Sequence, residues 1–233
     1  MEDFIEFKNV VKTYIVADKK FNALDKVSFK IKKGEFVVIL GPSGAGKSTL
    51  LNVLGGLDKV SSGSIKVGDK EITKLNDKDL TKYRASDIGF IFQFYNIMPT
   101  LTVGENVALV KDVTQTTKKV KEILKDVGLL NHIDKFPSEL SGGEQQRVSI
   151  ARAIMKNPKL MLCDEPTGAL DSKTGVEVLK LLKRECENGT TVVIVTHNDL
   201  ISLVANKVIH IKNGAIDKII TNEHPLTIDE VNF

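Results

Sequence analysis

Apolar positions change their period along the chain. Between Phe4 and Leu40 they fall in short runs, Phe4 to Val11, Ala23 to Ile31 and Glu35 to Leu40, which predict strands, with Lys33-Gly34 turning between the last two. Residues 63–72 predict another short strand closed by a glycine turn, and Ile88 to Gln93 one more. From Thr100 to Met155 the pattern becomes helical. Val120, Ile123, Leu124 and Val127 recur at i, i+3, i+4 and i+7, ended by Gly128, and a second helix runs from near Ser141 to Ile154. Lys159 to Cys163 then predicts a buried strand, Thr174 to Cys186 an amphipathic helix and Thr191 to Thr196 a β-branched strand. Lys207 to Ile211 and Ala215 to Ile220 flank Asn213-Gly214, a strong hairpin signal. This order predicts an α/β core drawn from both ends of the chain, 1–93 and 156–233, with a helical insert over 94–155.

The richest local signal lies between the apolar run Phe36-Val37-Val38-Ile39-Leu40 and the helical leucines after it. Gly41-Pro42-Ser43-Gly44-Ala45-Gly46-Lys47-Ser48-Thr49 fits the phosphate-loop pattern, which average composition would produce by chance in roughly 1% of chains this long. A glycine-rich turn from buried strand to helix aims successive backbone N–H groups at one point, and the helix start adds its positive end. Lys47 supplies a mobile charge for β and γ phosphates, and the Ser48 hydroxyl a Mg²⁺ ligand.

Composition narrows the rest. The 233 residues are 42% hydrophobic and carry a formal charge of +3, enough chain for a substantial core and too little charge to imply nucleic acid. Cys163 and Cys186 lack metal spacing, and Cys163 sits in an apolar run, so a buried thiol in a reducing compartment is expected. No signal pattern opens the sequence and no apolar run reaches the ~18 residues of a membrane span, so a cytosolic protein is expected.

Three further places can do chemistry. Leu160-Met161-Leu162-Cys163-Asp164-Glu165 is an apolar strand ending in two carboxylates: Asp164 suits Mg²⁺, and Glu165 suits a general base for the attacking water. Gln93 and His197 each end a predicted strand, the position where open α/β sheets place ligands. Gln93 is assigned to Mg²⁺ or water and His197 to a γ-phosphate, whereas His132, His210 and His224 lack such context and read as structural. Leu140-Ser141-Gly142-Gly143-Glu144-Gln145-Gln146 is a helix start in which Ser141 and Glu144 form a capping box. Two glycines in its first turn forfeit roughly 1 kcal/mol each of helix propensity, which suggests exposed N–H groups and a second phosphate-binding end.

Taken together, these residues resemble the ATP-binding cassette of ABC transporters, whose order they follow over nearly the whole chain. The resemblance implies a P-loop NTPase core of RecA-like type with a mostly parallel sheet, an N-terminal antiparallel β-subdomain, and a helical subdomain carrying the Ser141–Glu144 signature. It implies ATP and Mg²⁺ as cofactors, Tyr14 stacked on adenine, and a homodimer in which Ser141, Gly142, Gly143, Glu144 and Asp171 of one copy meet the nucleotide of another. A finer similarity, carried by Arg84 to Phe90, Phe92 to Val103, Glu105-Asn106-Val107 and Asp164 to Asp171, is to macrolide-export and lipoprotein-release ATPases. That branch implies a membrane permease docked near Gln93–Met98 and a place at the cytoplasmic face of the membrane. An ATP-driven mechanical switch acting on an extracytoplasmic enzyme or sensor through a permease-like partner, and a soluble repair or translation ATPase, are the alternative functions.

Overall fold

The computed structural model describes residues 3–114 and 116–232. Two long strands open the chain, β1 (Asp3–Val16) and β2 (Lys19–Lys32), joined by Ala17-Asp18 with both residues at positive φ, 46° and 63°. Both strands run further than their apolar runs suggest. The extension from Lys12 to Asn22 alternates poorly, and its turn lacks the Asn-Gly or Gly signal that normally marks such a geometry. After β3 (Phe36–Leu40), helix α1 (Lys47–Leu54), β4 (Ser62–Val67) and the two-residue β5 (Lys70–Glu71) follow. They complete a four-stranded antiparallel sheet in the order β2-β1-β4-β5.

Helix α2 (Asp77–Ser86) has no counterpart in the apolar pattern. Its stripe is only Leu80 and Tyr83; Asn76 caps it by accepting from the Asp79 amide at 2.9 Å, and Tyr83 donates its hydroxyl to Leu54 O at 2.9 Å. Strand β6 (Ile88–Ile91) stops two residues before Gln93, leaving that glutamine in the following turn. The helical stretch comprises α3 (Val103–Ala108), α4 (Lys111–Thr114), α5 (Val120–Asp126) and α6 (Gly142–Met155). Then come β7 (Leu160–Asp164), α7 (Ser172–Glu187), β8 (Thr191–Thr196), β9 (Lys207–Lys212) and β10 (Ala215–Thr221).

Strands β10-β9-β3-β8-β7-β6 form the second sheet, parallel from β9 to β6 with β10 antiparallel at one edge. Every residue of β3 and β8 is buried, as a sheet covered on both faces requires. Alternation splits them cleanly. Phe36, Val38, Val192 and Ile194 pack under α6 and α7, while Val37, Ile39, Val193 and Val195 pack against α1 and the four-stranded sheet. A largely covered ion pair, Lys207 Nζ to Glu35 Oε2 at 2.9 Å, ties β9 to the start of β3, and Lys207 also donates to Lys30 O on β2. The carboxyl ends of β3, β7 and β8 all open on one edge of the sheet, where ligands of such sheets collect.

Candidate functional site

At that edge lies a cavity of about 750 Å³. Its floor is the loop between β3 and α1: Ser43, Gly44, Gly46, Lys47, Ser48 and Thr49 all line it. Gly46 shows why the loop needs glycine. It sits at φ 102°, and a Cβ there would stand 2.3 Å from Ala23 O, so the loop could not lie against β2 with any side chain. Gly41 and Ala45 line no part of the cavity. Ala45 is 3% exposed and Gly41 packs against Ile211, so both shape the loop from behind. The Lys47 ammonium donates to its own loop, to Gly41 O at 2.7 Å and Pro42 O at 3.0 Å.

The carboxyl ends of β7 and β8 supply the reactive wall. Ser48 Oγ donates to Asp164 Oδ1 at 3.3 Å. Burial holds the Asp164 carboxyl above the usual carboxylate range, with the Glu165 charge adding and the Ser48 hydroxyl and Lys47 opposing. Glu165 sits at φ 46°, strained for a side chain of this kind. Both of its oxygens are engaged: Thr196 Oγ1 donates to Oε2 at 2.9 Å, and His197 Nδ1 lies 2.9 Å from Oε1. A carboxylate only accepts, so the His197 proton on this side is on Nδ1 and the ring's Nε2 edge is left for a ligand. Sequence reasoning placed Glu165 and His197 in the site separately; their pairing, and the part of Thr196, emerge only here.

At the far end, Tyr14, Phe21 and Ala23 from the β1–β2 arm form an apolar wall. Tyr14 and Phe21 are register partners across the two strands. Tyr14 is anchored by donating its hydroxyl to Asp58 Oδ2 at 2.7 Å, and Lys12 Nζ, paired to the same Asp58, lies 4.8 Å from its ring centre. Phe21, 56% exposed, was not anticipated. An aromatic opposite Tyr14 could have been noticed only once the hairpin was known to extend so far.

The helix end expected to bind a second anion lies elsewhere. Ser141, Gly142, Gly143, Glu144 and Asp171 do not line the cavity. The capping box is formed: Glu144 Oε2 accepts from the Ser141 amide at 2.7 Å and its hydroxyl at 2.8 Å. Its glycines have a packing reason that helix propensity alone did not reveal. A Cβ on Gly143 would fall 2.0 Å from Thr174 Cγ2, and one on Gly142 would meet the Tyr95 hydroxyl at 2.8 Å. Asp171 caps α7, accepting from the Thr174 amide at 3.0 Å and hydroxyl at 2.7 Å, so the tips of α6 and α7 abut. Gln93, half-buried, lines the cavity beside Gly168 and begins a segment in which Tyr95 and Asn96 take positive φ and Phe94 is 78% exposed.

The donor set suits a nucleoside triphosphate with Mg²⁺. The loop Ser43–Thr49 brings backbone amides and Lys47 to the cavity, and Ser48, Asp164 and Gln93 line it with hard oxygen donors of the kind that Mg²⁺ takes beside substrate phosphates.

Comparison with known proteins agrees on the nucleotide. The protein-family model described as ABC transporter matches residues 24–168. The chain is 46% identical over 237 residues to a putative ABC transporter ATP-binding protein of Mycoplasma pneumoniae, covering 100% of this chain and 51% of that protein. It is 44% identical over 224 residues to an uncharacterized ABC transporter ATP-binding protein of Methanocaldococcus jannaschii, covering 92% of this chain and 95% of that one. To a macrolide export ATP-binding/permease protein of Campylobacter jejuni it is 48% identical over 198 residues, 83% of this chain and 31% of that protein. The chain thus spans about half the length of the Mycoplasma relative and less of the Campylobacter one. Among solved structures, the Methanocaldococcus cassette as a post-hydrolysis dimer bound to ADP and Pi superposes with a TM-score of 0.86 at 41% identity, covering 93% of this chain and 98% of that one.

Proposed function

The chain belongs to the ATP-binding cassettes of the ABC transporter family and is an ATPase; from that premise we propose that it works as a homodimer around two ATP molecules and drives a membrane permease of the macrolide-export or lipoprotein-release type. The observation that carries this reading is the split site. Lys47, Ser48, Asp164, Glu165 and His197 share one cavity, whereas Ser141 and its capping box stand outside it. A second copy placed head to tail would bring that helix tip to the γ-phosphate; that the similar cassette is dimeric supports pairing of two copies.

In this reading Tyr14 and Phe21 receive the base and the loop amides with Lys47 receive the phosphates, which requires Lys47 to leave its carbonyl partners. Ser48, Asp164 and Gln93 would hold Mg²⁺, which supplies charge neutralisation between phosphates when bound. Glu165 takes the proton of the attacking water, and His197, oriented by Glu165, turns its Nε2 edge to the γ-phosphate, to which it donates as the doubly protonated imidazolium. Asp171 and the Ser141 tip cross the dimer seam. Because each ATP bridges two chains, nucleotide binding and assembly are thermodynamically linked.

No helix among the described residues is long and apolar enough to cross a membrane. A peripheral place at the cytoplasmic face, held by the permease, follows from this reading. Exposed Phe94 and Met98, on the strained turn directly after Gln93, support docking of the permease there. The helical unit 94–155 would carry motion from the nucleotide to that surface. Glu165→Gln tests the core of the proposal: it should retain Mg-ATP binding, accumulate an ATP-bound dimer in sedimentation and lose turnover. A variant that hydrolyses at the wild-type rate removes Glu165 as the base, and one that stays a lone subunit at saturating Mg-ATP defeats the two-copy site.

A further inference from the structure

The tip of α6 carries a negative charge that its proposed task makes awkward. Glu144 is a natural partner for a helix start, and its hydrogen bonds to Ser141 hold its carboxyl below the usual carboxylate range, so it is ionised. Yet the same tip is where the reading above brings the triphosphate of a second copy. An uncompensated carboxylate beside Ser141 would repel that anion. A hydrogen-bond partner that fixes this carboxylate lies outside the signature. His132, in the three-residue 3-10 turn Leu130–His132 upstream of the helix, places Nε2 3.3 Å from Glu144 Oε1, the oxygen that Ser141 does not use. Both side chains are largely covered, 25% and 22% exposed.

The tautomer follows from geometry. A bare nitrogen lone pair facing a carboxylate oxygen is repulsive, so Nε2 carries the proton and donates. Nδ1 is buried and finds no hydrogen-bond partner among the described residues. Nothing on that side pulls the ring away, and its polar contact is to Glu144. Arg147, whose charge also helps keep the Glu144 carboxyl ionised, is paired with Glu177 Oε2 at 2.8 Å.

We propose that His132 is a positioning residue for ATP-driven assembly: its Nε2–H takes up the Glu144 oxygen that Ser141 leaves free and fixes that carboxylate in the capping box, so that the Gly142 and Gly143 amides at the helix tip can accept the phosphates of a nucleotide held by a second copy. The inference rests on the two-copy reading and acts through Glu144, with no contact between His132 and nucleotide required. It assigns a role to a histidine that the sequence alone left structural.

The test uses the full chain in the Glu165→Gln background, where dimer formation is read by sedimentation against Mg-ATP concentration. His132→Ala should raise the ATP needed for half-assembly by roughly five- to tenfold, the range of one charge-assisted hydrogen bond partly open to solvent. His132→Gln, which keeps a donor, should recover part of that loss. Glu144→Gln retains the capping box without the charge, and adding His132→Ala to it should change assembly less than about twofold. With Glu165 intact, His132→Ala should raise KM for ATP while kcat at saturation holds within about twofold. Equal effects of His132→Ala in both Glu144 backgrounds, or no effect in either, would overturn the inference while leaving the dimer in place. If the Glu165→Gln parent itself fails to assemble with Mg-ATP, the two-copy reading falls and this inference with it.

Discussion

Gly143→Ala adds one methyl group where two helix tips already touch. The new Cβ would stand 2.0 Å from Thr174 Cγ2 and 3.3 Å from Thr174 Cβ, well inside contact distance. Thr174 cannot simply rotate away, because its hydroxyl and amide are both bound by Asp171, at 2.7 and 3.0 Å. Overpacking of this kind costs about 1–3 kcal/mol, and the clash puts this site toward the upper end. Replacing glycine in a helix returns up to about 1 kcal/mol. The net expectation is a loss of about 1–2 kcal/mol, a fall in Tm of roughly 2–8 °C for a domain of this size. Thr174→Ser removes the offending methyl and keeps the hydroxyl bonded to Asp171, so in the Gly143→Ala background it should recover at least about 1 kcal/mol. Urea unfolding of the wild type, both single variants and the double variant measures the cycle. If Gly143→Ala unfolds at or above the wild-type midpoint, or Thr174→Ser fails to rescue it, the glycine is not there for helix packing. An exposed anion site would then be its main explanation.

Three other outcomes follow from charge placement. Asp164→Asn should stabilise the nucleotide-free protein at pH 7 while abolishing turnover: burial raises the folded carboxyl's pKa above its ordinary 3.8, so its ionised form opposes folding. That advantage should vanish below about pH 4, and melting curves at both pH values that differ equally would contradict it. Lys156 is pushed down from 10.5 to about 8 by burial and by the charge of Arg152. Between those values the unfolded chain keeps a proton that the folded one has shed, so wild-type stability should rise relative to Lys156→Met. The gain from pH 8 to 9.5 should be about 2 kcal/mol in urea titrations, and a constant difference would refute it. Glu35→Ala strands the covered Lys207 ammonium, 11% exposed, and should lower stability by about 3 kcal/mol; a loss under about 1 kcal/mol would mean that Lys30 O and water satisfy it.

Much of this protein is written in short stretches of sequence. The phosphate loop, the capping box of Ser141 and Glu144 and the Asn213-Gly214 hairpin each depend on residues a few positions apart, and backbone geometry turns such spacing directly into shape. The buried strands were legible too, because a strand covered on both faces must be apolar throughout, as β3 and β8 are. Where that local code was weak, the reading stopped short. The outer half of the β1–β2 arm turns at Ala17-Asp18, and α2 offers an apolar stripe of only two residues.

What tertiary structure decided was adjacency between distant segments. Phe21 faces Tyr14, Thr196 and His197 bind the two oxygens of Glu165, Thr174 forces glycine at position 143, and His132 reaches Glu144. None of these pairs shares a period or a motif. Each exists because two elements pack at one particular distance, set by the buried apolar faces between them, and a linear pattern carries no record of that distance.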